Sequence, residues 1–322
     1  MINFRFHLVS LIAVFLALGL GILVGSTVVD QVIVDRLDRE ISSVSHESNQ
    51  IKSENSRLEG QLSQINDFLK KSSAFAAEQR LISAPIAIIA EKGIDTGAVN
   101  AVLAQVKAAG ADVPGVLWLD DKWKLDSPKD LAALQAAAHV KGNAAASRIA
   151  ALRALAARLA EPQPTATKAR RDVVEPLRSA GFLDFTDGKK AALTAFPEHP
   201  SRVLFLTGTD SDLSGTDTMV DLVNPFLADK VPTVVGEVYD AKPTAPKGGT
   251  KGSAKTVPKR GAALEPIRGN PLLAKQVSTF DDAELLQGPV TAVISLEQVA
   301  DGIIGQYGYG EGASIALPPI PS

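Results

Sequence analysis

Few residues in this chain are of a type that could do chemistry, and most of those stand where turns and helix caps also favour them. Acids gather behind two apolar runs, at Asp120 and Asp121 and again in Gly208-Thr209-Asp210-Ser211-Asp212. If the runs are strands of an open α/β sheet, these positions lie beyond the strands' carboxyl ends, where such sheets bind ligands. Asp, Ser and Thr are equally the residues of N-caps and tight turns, and that structural role is the one favoured here. No G-x-G-x-x-G, P-loop or G-x-S-x-G is spelled anywhere, and no catalytic triad can be assembled. The expectation is a protein that is not an enzyme and uses no cofactor.

Soft-metal chemistry has little to draw on. Copper sites use Cys, Met and His. The chain has no cysteine, two methionines (Met1 and Met219) and four histidines (His7, His46, His139 and His199), none within ligand spacing of another. The histidines read as surface residues, and no metal-ligand set is assigned.

The elements around these residues carry more information. Leu8 to Val29 is free of charge. At about 1.5 Å per residue it covers roughly the 30 Å of a bilayer core as one helix. It is longer than the apolar region of a signal peptide and has only a poor cleavage site at Val24 and Ser26, so an uncleaved anchor is expected. Residues 1–7 are too few to form a domain. That places the N-terminus inside and the bulk of the chain outside the cell membrane, although the flanking Arg and Lys counts are nearly even.

A heptad seam follows at Val34, Leu37, Ile41, Val44, Ser48, Ile51, Asn55, Leu58, Leu62, Ile65 and Leu69. Alternating steps of three and four over five heptads predict a left-handed coiled coil across residues 30–80. Ser48 and Asn55 fall at core a positions, where a polar side chain lowers stability and fixes register. A parallel homodimer is therefore expected. Within the anchor, Ala13, Ala17, Gly21 and Gly25 repeat every four residues, a stripe that admits close approach of another helix. Carried back from the seam, the heptad frame puts Gly21 and Gly25 at b and f positions, off the a/d seam. The stripe is thus expected to meet a second membrane protein.

Beyond Pro85 short β-branched runs alternate with alanine-rich stretches, which predicts an α/β domain over residues 84–301 with an open, mostly parallel, Rossmann-like sheet. Strands are expected at 86–90, 113–119, 202–206, 233–238, 277–280 and 290–296. Helices are expected at 97–109, 128–140, 144–160, 167–179, 216–228 and 264–275. Residues 241–260 hold six Lys or Arg and no acid among Gly, Pro, Thr and Ser, and read as a flexible basic loop. Residues 302–322 are Gly- and Pro-rich and read as an irregular tail. A net charge of -3 and the absence of a basic, aromatic-studded stripe exclude nucleic acid as a partner. Without cysteine no disulfide braces the fold.

Several segments resemble the actinobacterial copper-transporter family typified by mycobacterial MctB. They are Met1-Ile2 with Arg5, His7 and Val9-Ser10-Leu11; Ala13-Val14-Phe15-Leu16-Ala17-Leu18; Gly25-Ser26; Asp172 to Leu183 with Ala180-Gly181-Phe182; Ser278-Thr279 with Asp281-Asp282; and Tyr307-Gly308-Tyr309-Gly310-Glu311-Gly312-Ala313. The resemblance spans essentially the whole chain and is most specific at the N-terminus. It implies a cell-envelope protein linked to copper efflux, in a family described as pore-forming in an outer membrane. Relatives also suggest an envelope scaffold that works with another membrane protein in cell-wall remodelling and cell separation. Copper enters through the resemblance alone. The residues themselves read as one apolar helix and a globular α/β pattern, without the alternating strands of a transmembrane barrel.

Overall fold

The computed structural model describes residues 4–160, 172–186, 200–241 and 257–319, and the chain divides into two units, Met1–Asp67 and Phe68–Ser322. One helix, α1, covers Phe4–Ala77. Its stretch Phe4–Gly25 (22 residues, mean hydropathy 2.7) is long and apolar enough to cross a membrane. In the single chain Leu37, Ile41, Val44, Ile51, Leu58, Leu62 and Ile65 are all 44–64 % exposed. The side chains of Val34 and Leu69 lie outside the described residues.

The second unit is built on a seven-stranded sheet in the order β3-β2-β1-β4-β5-β6-β7. The strands are β1 (Ile86–Glu91), β2 (Val116–Leu119), β3 (Leu183–Thr186), β4 (Arg202–Gly208), β5 (Thr233–Val238), β6 (Val277–Phe280) and β7 (Gln306–Tyr307). All pairings are parallel except that of β3 with β2. β1, β2, β5 and β6 are buried along their whole length, as parallel strands covered on both faces should be.

Alternate side chains feed two cores. Ile89, Leu117, Phe205 and Val235 join α3 (Pro128–Ala138), α4 (Ala144–Ala160), α5 (Val174–Ser179) and α6 (Thr218–Ala228) on one face. Ile88, Val116, Leu204 and Val234 join α2 (Thr96–Ala108) and α8 (Gly288–Ala300) on the other. Local signals set the helix ends. Asp95 caps α2 by accepting the Gly97 N–H, and Ser127 caps α3 by accepting that of Asp130 with Pro128 in the first turn.

Four expectations need correction. Residues 290–296 are not a strand: they lie within α8, which Pro289 opens and which is buried nearly all round. An apolar run enclosed on every side has no period by which to tell helix from strand. The helix expected at 264–275 is reduced to a 3-10 turn at Ala262–Leu264 and the short α7 (Glu265–Arg268). Pro271 disfavours helical backbone at Asn270, and Gly269 weakens the helix just before it. β2 begins only at Val116, because Pro114 cannot donate to the ladder. The tail is not irregular throughout: β7 extends the sheet and buries Tyr307, whose hydroxyl donates to Gln298 at 2.8 Å. β3, which no expectation covered, forms one sheet edge. Residues 167–171 and 242–256 lie outside the described residues.

Ending the chain at Asp301, the expected domain boundary, should therefore destabilise it by at least about 3 kcal/mol, the scale of losing one buried aromatic side chain. Urea unfolding followed by far-ultraviolet circular dichroism measures this. An unchanged midpoint would place residues 302–319 outside the cooperative fold.

Candidate functional site

In a sheet of this order the connections leave in opposite directions after β1 and β4, which makes the crevice between their carboxyl ends the expected place for a ligand. Here the chain itself spans that crevice. The Asp212 N–H donates to the Lys92 carbonyl at 2.8 Å. Gly93 makes the approach possible: its φ is +94°, and a Cβ there would meet the Asp212 nitrogen at 2.7 Å. Two cavities lie on either side of the contact and share no lining residue.

The first, about 370 Å3, is bordered by Glu91, Thr207, Thr209, Thr216, Asp217 and Glu265. Glu91 ends β1, is 2 % exposed, and accepts the hydroxyls of Thr207 (2.7 Å) and Ser211. The second, about 720 Å3, lies between α2 and the β2–β3 edge and includes Lys92, Asn100, Trp118, Asp184 and Asp212. Lys92 reaches Asp120 at 2.8 Å and Asp184 at 3.6 Å. The Asp120 hydrogen bond raises the lysine's affinity for its proton. Burial pushes Asp120 upward, but Lys92 and Asp121 outweigh it and hold the carboxyl below its ordinary range. The hydrogen bond with Asp120 raises Asp121 in turn.

A third group of acids lies at the carboxyl ends of β5 and β6. Glu237 is fully buried and accepts the backbone N–H groups of Gly261 and, at 3.0 Å, Ala263. Burial pushes its carboxyl up to about 7. Asp281 pairs with Arg268 at 2.7 Å, with side chains 0 % and 3 % exposed, and accepts the N–H groups of Tyr309 (2.8 Å) and Gly310 (3.0 Å). Arg268 also donates to Thr279, to the Tyr307 carbonyl and to the Glu311 carbonyl. Asp282 accepts the Thr291 hydroxyl at 3.3 Å, while its Oδ1 has no partner among the described residues. Burial first, then the charge of Asp281, push it up to about 7. Arg260 lies 4.4 Å over the Tyr239 ring and donates to Glu284 at 2.6 Å.

The acids singled out in the sequence are thus held in local structure. Asp120 is bound to Lys92, and Asp210 to Asp212 turn the chain into the bridging loop. Glu91, Glu237, Asp281 and Asp282, the buried acids, were not anticipated. A signal for them exists: three core strands run straight into an acid, in Ile-Ile-Ala-Glu91, Val-Val-Gly-Glu237 and Ser-Thr-Phe-Asp281-Asp282.

The structure does not gather the candidate soft ligands. His7 and His46 are exposed on α1, His139 is the exposed left-handed cap of α3, and Met219 is buried in α6. His199 and Met1 lie outside the described residues. Among the described residues no group of three or more His, Cys, Asp or Glu is placed to hold a metal ion. In α1 the stripe residues Ala13, Ala17, Gly21 and Gly25 are exposed, and a Cβ at Gly21 or Gly25 would meet nothing within 4 Å.

As a class this is a protein with an N-terminal apolar helix of spanning length and a covered, mostly parallel α/β sheet. The chain belongs to the MctB family, described as copper transport outer membrane protein, whose model matches residues 1–318. Copper transporter MctB of Mycobacterium tuberculosis (strain ATCC 25618 / H37Rv) is 25 % identical over 332 residues, covering 97 % of this chain and 98 % of its own. Copper transporter MctB of Mycobacterium bovis (strain ATCC BAA-935 / AF2122/97) matches to the same extent.

The raised carboxyl of Asp282 sets a pH dependence whose sign follows from linkage. Below its ordinary value of 3.8 the group is neutral whether the chain is folded or not. As pH rises the unfolded chain releases the proton first, so stability falls until the folded group also ionises near 7. Asp282→Asn removes this loss. Its stability relative to the parent chain should grow between pH 4 and pH 8 by on the order of a few kcal/mol. Urea midpoints across that range would measure it, and a pH-independent difference would contradict it.

Proposed function

We propose that this chain is a membrane-anchored cell-envelope protein that acts in copper efflux and homeostasis, with its N-terminus inside and its α/β domain outside the cell membrane. Membership of the MctB family over residues 1–318 carries this reading. Copper is the cargo of the process. The one helix of spanning length among the described residues encloses no pore by itself, so transport requires other chains.

Those chains are reached through α1. The heptad seam exposes Leu37, Ile41, Val44, Ile51, Leu58, Leu62 and Ile65 along one phase, which supports a parallel coiled-coil homodimer with Asn55 fixing register. The exposed stripe Ala13, Ala17, Gly21, Gly25 lies off that phase and supports packing against a helix of a second membrane protein.

A second reading is a non-enzymatic envelope scaffold that binds another membrane protein to regulate cell-wall remodelling and cell separation. The observation favouring it is that Glu91, Glu237 and Asp281 bind the domain's own groups while no soft-ligand cluster is assembled among the described residues. A strain lacking the chain separates the two. Copper accumulation and copper sensitivity are expected; chained or poorly septated cells with normal copper would replace the first reading with the second.

Replacing Gly21 and Gly25 together by Leu fills the stripe and leaves the seam intact. Copurification at matched expression should then lose the partner protein, while sedimentation still reports a dimer. Equal partner recovery, or loss of the dimer itself, would refute this assignment of the two faces.

A further inference from the structure

The larger cavity of the α/β domain has a composition that selects among ligand classes. Its volume of about 720 Å3 lies in the range of clefts that hold small molecules. One wall is α2, whose inward stripe of Ala98, Val99, Val102 and Val106 packs into the core. Thr96, Asn100 and Leu103 follow one another at helical spacing on a different face and line the cavity. Asp184 and Thr186 of β3 form the opposite wall, and Asp212 comes from the loop that bridges the strand ends. The Trp118 indole contributes a rim; it is 6 % exposed and is held by its Nε1–H donating to the Thr186 hydroxyl at 2.7 Å.

Charge then narrows the choice. Lys92 is the one basic residue of the lining, and Asp120 and Asp184 already answer it. With Asp184 and the exposed Asp212 also present, the cavity opposes phosphates and carboxylates. A cationic guest would have to compete with Lys92, which already pairs with Asp184. What remains is a neutral molecule that exchanges hydrogen bonds as both donor and acceptor. Asn100, Thr96, Asp184 and Asp212 supply such partners, and Trp118 and Leu103 supply an apolar strip for C–H groups. We propose that this cavity binds a short saccharide, a ligand class that presents hydroxyls along its rim and C–H groups on its ring faces. The proposal is independent of the copper reading, since no histidine, methionine or cysteine lines the cavity.

The test uses the full chain in detergent, with chitotriose and maltotriose as probes. The chain has two tryptophans, and Trp123 is fully buried, so a change in tryptophan fluorescence reports Trp118. Saturable binding of at least one probe is expected, by fluorescence and by calorimetry. Asn100→Ala with Asp212→Ala should weaken it at least tenfold. Both side chains are exposed, and Asn100→Ala alone serves if the pair fails to fold. No saturation by either probe at millimolar concentration, or equal affinity in the variants, would overturn the assignment. Saturation by trialanine with none by either saccharide would overturn it too, in favour of a peptide.

Discussion

The buried pair of Arg268 and Asp281 joins more of the α/β domain than any other contact described. Burying two charges costs several kcal/mol per ion unless their remaining hydrogen-bonding capacity is met. Here it is met. Asp281 takes the guanidinium and two backbone N–H groups, while Arg268 also serves a threonine hydroxyl and two carbonyls. The partners come from α7, from β6 and its following loop, and from β7 and the tail beyond it. Removing either charge would strand the other, a loss of about 3–5 kcal/mol. Gly308 belongs to the same arrangement: at φ +121°, it passes so close to the Asp281 carboxyl that a Cβ would collide with it.

This arrangement brings together two segments that are distant in the sequence. Ser278 to Asp282 and Tyr307 to Ala313 meet around one guanidinium, so neither can change without disturbing the other. Glu237 repeats the device next door, where a buried acid grips the backbone of Gly261 and Ala263. Glu237 and Asp281 therefore spend their hydrogen bonds on the domain's own chain. At the usual ligand crevice the Lys92–Asp212 contact does the same, leaving separate cavities on its two sides.

Much of this fold was legible beforehand. The central strands expected at 86–90, 202–206, 233–238 and 277–280 announce themselves as β-branched runs bounded by turn residues, and the helices expected at 97–109, 128–140, 144–160 and 216–228 by their spacing and caps. α8 was not legible, because Thr291 to Leu296 is buried on every side and carries β-branched residues besides. β3 and β7 were missed because Leu183-Asp184-Phe185-Thr186 and Gln306-Tyr307, at the two edges of the sheet, carry no β-branched run. The site was less visible still. Loop acids such as Asp120 and Asp212 stand out in the sequence, whereas Glu91, Glu237 and Asp281 are hidden as single letters at the end of apolar runs. Only the parallel sheet brings them to one edge. The heptads of α1 were plain, because they depend on spacing alone.

The late position of the tail has a consequence for the order of synthesis. β1 pairs with β4 across more than a hundred residues, and the Thr207–Glu91 hydrogen bond closes a separation of 116. Contacts so distant in sequence form slowly. The Arg268–Asp281 pair cannot reach its full set of partners until Glu311 has emerged from the ribosome. The apolar N-terminal helix is made roughly 280 residues earlier, at elongation speeds of a few to about 20 residues per second. The helix is therefore complete many seconds before the domain behind it can close. The last segment made is thus the one for which the domain's buried ion pair must wait.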